Sequence, residues 1–284
     1  MDVRPSAIAG RWYPADSEKL AASVDGYIQE ADLPEIKGQV IAIMAPHAGH
    51  IYSGPVAGYA FSAVRGLQPD IVAIVSPMHQ PYAQPLLTSA HQAYQTPLGS
   101  IPIDQEAVSE LNSALEEDLG FGLTPVRNDA EHSLEIEIPF LQRVLRREFR
   151  LLPVMVRDQT AKVGQVLGKS LAIILAGKNP LLVASTDLSH FYNQTQAVQL
   201  DSTMLDQVAS FNPMGVLQVE EQGKGFACGR NALAAVLWAA RDLGANHVQI
   251  LKHATSGDVT GDYSGVVGYA AAVVTRYMGE EDRN

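Results

Sequence analysis

The chain alternates between short unbroken apolar runs and longer stretches in which apolar residues recur at helical spacing. Val40 to Ala45 (VIAIMA) and Asp70 to Val75 (DIVAIV) are runs of the first kind, which predicts strands covered on both faces. Leu151 to Val156 and Leu181 to Ser185 read the same way. Gly54 to Val64 reads as a helix between the first two strands. That order predicts a βαβ unit, with a parallel pair and a right-handed crossover. Further helices are predicted over Asp16 to Glu30, Asp104 to Glu117 with Asp104 as its cap, Ala161 to Ala176, Asn193 to Val208 and Gly229 to Leu243. Leu134, Ile138, Leu141, Leu145 and Phe149 place an amphipathic helix over Glu131 to Arg147, in which Pro139 marks a kink or the true start. His247 to Ala254 and Ser264 to Tyr277 close the series as strands. The expectation is a single α/β domain over residues 1–284, with a central mixed, largely parallel sheet flanked by helices. An N-terminal arm (1–15) carries Trp12, Tyr13 and Pro14, and an acidic tail (278–284) is expected to fray.

Composition narrows the partners more than the fold. With 284 residues and 46% hydrophobic content, the chain can bury a large core. Its net charge of -11 opposes phosphate backbones and anionic membranes, so no nucleic-acid and no membrane partner is expected. The one cysteine, Cys228, excludes an internal disulfide. The N-terminus lacks a basic stretch followed by an apolar run, and no apolar run is long enough to span a bilayer. A cytoplasmic location is the resulting expectation.

Ligands gather at the carboxyl ends of strands in open α/β sheets. Pro46-His47-Ala48-Gly49-His50 follows the first strand, Ser76-Pro77-Met78-His79 the second, and Thr186-Asp187-Leu188-Ser189-His190 the one ending at Ser185. Three strand ends thus deliver a histidine to one edge. Imidazole is the commonest side-chain metal ligand, and His47 and His79 are read as ligands, the plain alternative being hydrogen-bonded loop histidines. His190 is a ligand, a proton shuttle or a substrate contact. Asp187 either orients a histidine or caps a turn. His132, in Glu131-His-Ser-Leu-Glu135, either points into the cleft as an acid/base or belongs to a helix start whose acids complement the dipole.

Cys228 precedes a predicted helix, whose N-terminus favours a thiolate; the plain alternative is a buried small apolar residue. Gly223, Gly225 and Gly229 around it favour a close-approach loop. Ser53, Ser133, Ser189 and Ser256 lie near these residues, but none is in a Gly-x-Ser-x-Gly elbow, and no phosphate-binding glycine motif is present.

Eight segments in order resemble the Memo family: Ala9 to Pro14, Ala45 to Gly54, Ser76 to His79, Thr96 to Gly99, Glu131 to Glu135, Ser185 to His190, Ala227 to Gly229 and Thr255 to Asp258. The resemblance implies a LigB-like fold, that of the class III extradiol dioxygenases, in which two histidines and a glutamate hold non-haem iron. It implies a pocket in which His47, His79 and Cys228 bind one metal ion, with His132, His190 and Asp187 handling protons. Iron or copper is favoured and zinc is the alternative, because a thiolate in place of a carboxylate softens the site. Metal-dependent redox chemistry on an unknown substrate is the leading expectation. The alternatives are a binding module without turnover, holding a peptide or small ligand in the same cleft, and a zinc-dependent hydrolase. By family association, AMMECR1-like and radical-SAM proteins are expected partners. Met78 departs from the small residue common before this histidine in relatives, and either narrows the cleft or packs.

Overall fold

Successive residues of the apolar runs face opposite ways and build two hydrophobic layers, one on each side of a nine-stranded sheet. Ala42, Met44, Val75, Val154 and Ala184 belong to one layer; Ile43, Ala45, Ile74, Met155 and Val183 belong to the other. The structure is a computed structural model that describes residues 2–277. The acidic tail at 278–284 lies outside the described residues.

Four strands form the parallel centre in the order Gln39–Ala45, Pro180–Ser185, Ile71–Pro77, Arg150–Val156. The flanks are mixed. Val266–Arg276 runs antiparallel on Gln39–Ala45 and carries both His247–Thr255 and the short His190–Tyr192. Leu86–Ser89 runs antiparallel on Arg150–Val156 and pairs in turn with Thr124–Val126. The expected class, a mixed and largely parallel sheet flanked by helices, is the one observed. One detail differs: the two strands read as a βαβ pair are parallel but not neighbours, because Pro180–Ser185 lies between them. Among the described residues no helix is long and apolar enough to cross a membrane.

The helices follow their apolar spacing. Leu20, Val24 and Ile28 bury one face of Ser17–Glu30, and Asp16 accepts from the Lys19 N–H to cap it. Asp104 caps Gln105–Leu119 through the Ala107 N–H, as its position predicts. Two helices differ from expectation near the candidate site. The helix read from Gly54 begins at His50 and carries Pro55 inside it. The helix read over Glu131 to Arg147 is only Ile138–Val144, preceded by a 3₁₀ turn at Glu135–Glu137, so Pro139 marks the true start. Residues 131–134 are therefore a loop, free to aim His132 independently of helical geometry.

The N-terminal arm is structural. Val3–Arg4 pairs parallel with Ala93–Thr96 in a second, three-stranded sheet completed by Gly99–Pro102. These short strands, with the Pro213–Glu221 helix, escaped the sequence reading because each is too brief for its period to register.

Candidate functional site

The carboxyl ends of three parallel strands meet at one edge of the sheet. His47 follows Gln39–Ala45, His79 follows Ile71–Pro77 and Asp187 follows Pro180–Ser185, each two residues beyond its strand. The 131–134 loop brings His132 to the same place. One ring nitrogen from each of His47, His79 and His132 lies within 4.8 Å of the other two. His79 and His132 stack with centroids 4.7 Å apart, and His47 meets both edge-on at 5.3 and 5.5 Å.

Hydrogen bonds fix which nitrogen each ring presents. His47 Nδ1 lies 2.9 Å from Ser185 Oγ, and that hydroxyl gives its own proton to the Ser133 carbonyl at 2.6 Å. Ser185 therefore accepts from Nδ1–H, leaving His47 Nε2 with a free lone pair. His79 Nδ1 donates to Glu131 Oε1 at 2.9 Å, and His132 Nδ1 stands 3.3 Å from the same oxygen. Glu131 also accepts the main-chain N–H groups of His79, His132 and Ser133 at 2.5, 2.9 and 3.0 Å. Burial works against its charge, but the hydrogen bond from His79 and the nearby His79 and His132 hold the carboxyl well below its ordinary range. One buried carboxylate thus orients the His79 ring and holds the main chain that carries His132.

Two of the rings, those of His47 and His132, are held toward the neutral form. Burial, then the proximity of His132 and His79, drives the His47 pKa well below its usual value, and burial lowers His132 to about 4. A neutral imidazole whose Nδ1–H is engaged keeps a lone pair on Nε2, the form metals take up; on His47 that nitrogen faces the Cys228 sulfur.

Cys228 stands beside His47, its Sγ 3.2 Å from Nε2, and is not one of the three converging histidines. A Cβ at Gly229 would come 2.5 Å from the Ser185 carbonyl, so glycine lets this loop close onto the strand end as its composition suggests. The expected thiolate is not what this environment favours by itself. Burial, with the charge of Asp187 adding, pushes the thiol pKa well up, and the hydrogen bonds around it do not offset that. Asp187 accepts the main-chain N–H of His47 at 2.7 Å rather than a ring proton, and its other oxygen stands 4.0 Å from His47 Nε2. Burial raises its pKa to about 7. His190 is not one of the three converging rings. Its Nδ1 donates to the Leu188 carbonyl at 2.7 Å, and its ring packs edge-on against Phe226.

Three participants were not singled out from sequence. Glu131 was weighed only as a complement to a helix dipole, yet no helix begins there. Ser185 was read as the end of a strand. Trp12 stacks on His132 at 4.0 Å, so the arm forms part of the wall. Met78 is buried and packs in the core. His50 turns away: its ring lies between Tyr13 and Phe140, Nε2 faces the Ile136 carbonyl at 3.1 Å, and Nδ1 has no partner among the described residues.

Burial lowers the His50 pKa to about 4 from an ordinary 6.5. Between those values the unfolded chain binds a proton here that the folded protein does not. Stability is therefore fully present above pH 6.5 and falls as pH drops toward 4, by roughly 3 kcal/mol for this ring. Urea unfolding of metal-free protein at pH 7 and pH 4.5 should show a smaller acid loss in His50→Phe than in the parent. An equal loss in both would mean that His50 does not contribute.

A family profile described as "Memo-like protein" matches residues 4–273. A MEMO1 family protein of Nitrosopumilus maritimus is 32% identical over 275 residues, covering 95% of this chain and 98% of that one. Another from Methanopyrus kandleri is 33% identical over 286 residues (96% and 99% covered). One from Thermotoga sp. strain RQ2 is 35% identical over 286 residues (95% and 99%). Among solved structures, an uncharacterized protein of Escherichia coli K12 matches with a TM-score of 0.51 at 11% identity, covering 83% of this chain and all of that one; that likeness concerns the fold alone. Matched along nearly its whole length by the profile and by these relatives, the chain belongs to the Memo-like protein family.

Proposed function

We propose that the cleft is a mononuclear metal centre supporting redox chemistry on a small substrate. The observation that carries this reading is the group of three histidines whose ring nitrogens converge within 4.8 Å, with the Nδ1 atoms of His47 and His79 hydrogen-bonded to Ser185 and Glu131. The donor set fits a metal: imidazole serves zinc, copper and iron alike, and a thiol stands within reach. We assign His47, His79 and Cys228 as ligands and His132 as the acid/base, its ring held under Trp12. The 3.2 Å between Sγ and Nε2 is close to the spacing of two donors on one ion. If all four groups bound, the site would be closed; leaving His132 off keeps a position open for a reactant. Iron or copper bound here would supply one-electron chemistry. Buried Asp187, its pKa raised to about 7, and His190 would move protons beside the cluster.

Metal analysis of protein purified without added metal tests the proposal. About one equivalent is expected, lost in His47→Ala, His79→Ala and Cys228→Ala. His132→Ala is expected to retain metal. Retention in Cys228→Ala with loss in His132→Ala would transfer the third ligand to His132. A stoichiometric zinc content would favour a hydrolase, and no metal in any preparation would leave a binding module.

A further inference from the structure

The turn that carries His190 to the cluster is buried, so each of its main-chain groups needs a partner. Thr186 N–H donates to the Ala45 carbonyl at 2.9 Å, and the Asp187 carbonyl accepts from Cys228 N–H at 3.2 Å. Leu188 N–H donates to the Gly268 carbonyl, and the Ser189 carbonyl accepts from Gly268 N–H, both at 2.8 Å. Ser189 N–H goes instead to a carboxylate on another element, Asp201 Oδ1, at 2.9 Å. The Leu188 carbonyl fixed in this way is the one that takes the proton of His190 Nδ1.

Asp201 breaks the pattern of its own helix. It lies in Gln194–Ala209, on the face where Ala197, Met204, Leu205 and Val208 are buried, and it is fully buried itself. An apolar residue would pack that face; a carboxylate there is costly unless both oxygens are bonded. Both are, since Oδ2 accepts from His253 Nε2 at 2.8 Å. The neighbouring strand makes room for it: a Cβ at Gly268 would come 2.0 Å from Oδ2, so a glycine interrupts the apolar run of Val266–Arg276. The Ser189 hydroxyl, by contrast, is buried without a partner among the described residues, so only the main chain of Ser189 is attached to Asp201.

We propose that Asp201 is a positioning residue for His190: seated between His253 and the Ser189 N–H, it holds the turn that presents the Leu188 carbonyl to His190 Nδ1, and so leaves Nε2 as the nitrogen that exchanges a proton. The His190 ring is close enough to His47 and His79 for a charge on one to act on the others. Burial lowers the His190 pKa and His79 adds to this, while the Leu188 carbonyl and the charge of Asp201 act the other way. Asp201 thus acts on His190 through the turn and through its charge. A part for His190 in proton transfer rests on the metal-centre reading; its positioning by Asp201 does not.

The test is proton–nitrogen NMR of metal-free protein labelled in its histidines, with the His190 signals assigned by their loss in His190→Gln. In the parent, neutral His190 is expected as a single form protonated on Nδ1. Asp201→Ala should spread it over both tautomers. Asp201→Asn keeps an oxygen for Ser189, and its NH₂ meets His253 Nε2 in that ring's other tautomer. It should preserve the Nδ1–H form of His190 but move its titration to lower pH, because only the charge is lost. Ser189→Ala should change neither property. A tautomer unchanged in Asp201→Ala, or a titration unmoved in Asp201→Asn, would reduce Asp201 to a packing group and overturn the inference. An effect of Ser189→Ala equal to that of Asp201→Ala would overturn it as well. Where Asp201→Ala does not fold, the titration of Asp201→Asn decides. If no preparation binds metal while this pattern holds, the metal reading falls and this one stands; if metal binds and His190 ignores Asp201, the reverse is true.

Discussion

Replacing Glu131 with glutamine is expected to lower metal affinity by about 10- to 100-fold while the protein stays folded. The carboxylate is acceptor-only, and every group that approaches it is an N–H: the ring and main chain of His79, and the main chains of His132 and Ser133. Glutamine offers one oxygen and one NH₂ in that space, so one side would face donors with a donor. The His79 ring would lose its fixed tautomer, and a ring free to rotate presents its lone pair to the site only part of the time. The charge matters as well, since a carboxylate on Nδ1–H makes Nε2 a better donor. Titration with cobalt(II), read by its visible absorption, measures the affinity, and circular dichroism checks the fold. Glu131→Asp keeps the charge with a shorter reach and should fall between the parent and Glu131→Gln. Parental affinity in Glu131→Gln would show that the carboxylate holds the loop without tuning the ligands.

The candidate site was readable where it depended on strand ends and unreadable where it depended on loops. His47, His79 and Asp187 each follow an apolar run by a fixed step, so locating the strands located them. His132 was held between two readings because the spacing from Leu134 to Phe149 extends a helical pattern backward across it. Pro139 decides the matter: its fixed φ and missing N–H suit the first turn of a helix, and the chain before it takes another path. Once that path is a loop, Glu131 can fold over onto His79, a contact across 52 positions that no local period encodes. Ser185 was hidden for a related reason. It completes an apolar strand, and only the parallel pairing of Pro180–Ser185 with Gln39–Ala45 brings its hydroxyl beside the His47 ring. The single-domain α/β class was plain from the alternation of runs, while strand order was not, because Pro180–Ser185 enters between two strands that precede it by more than a hundred positions.

Arg4→Met is expected to cost about 3–5 kcal/mol of stability, a large share of what a domain of this kind has to lose, and to weaken metal binding at a distance. Arg4 is buried, and its guanidinium holds the 129–135 segment at several points. It bonds the Asp129 carboxylate through Nε at 3.0 Å and Nη2 at 2.8 Å, Glu135 through Nη1 at 2.5 Å, and the Glu131 carbonyl through Nη2 at 2.8 Å. Burial opposes its charge, but Asp129 and Glu135 keep it firmly protonated. Methionine fills similar space and satisfies neither carboxylate. Glu135 would keep Ser6, Tyr13 and the Ala7 N–H, whereas Asp129 would lose its principal cation, so most of the cost should fall on the Asp129 end. That end leads directly into Glu131 and His132, which is why a residue in the N-terminal arm is predicted to affect the metal. Arg4→Lys restores charge without the planar fork and should recover only part of the loss. Urea unfolding of metal-free protein gives the stability, and cobalt(II) titration of the same variants gives the affinity. A loss below about 1 kcal/mol would mean the network is replaced by water in the variant, since that is the range of an exposed ion pair. A full loss of stability with parental affinity would separate the anchor from the site, leaving Glu131 held by its own hydrogen bonds to His79, His132 and Ser133.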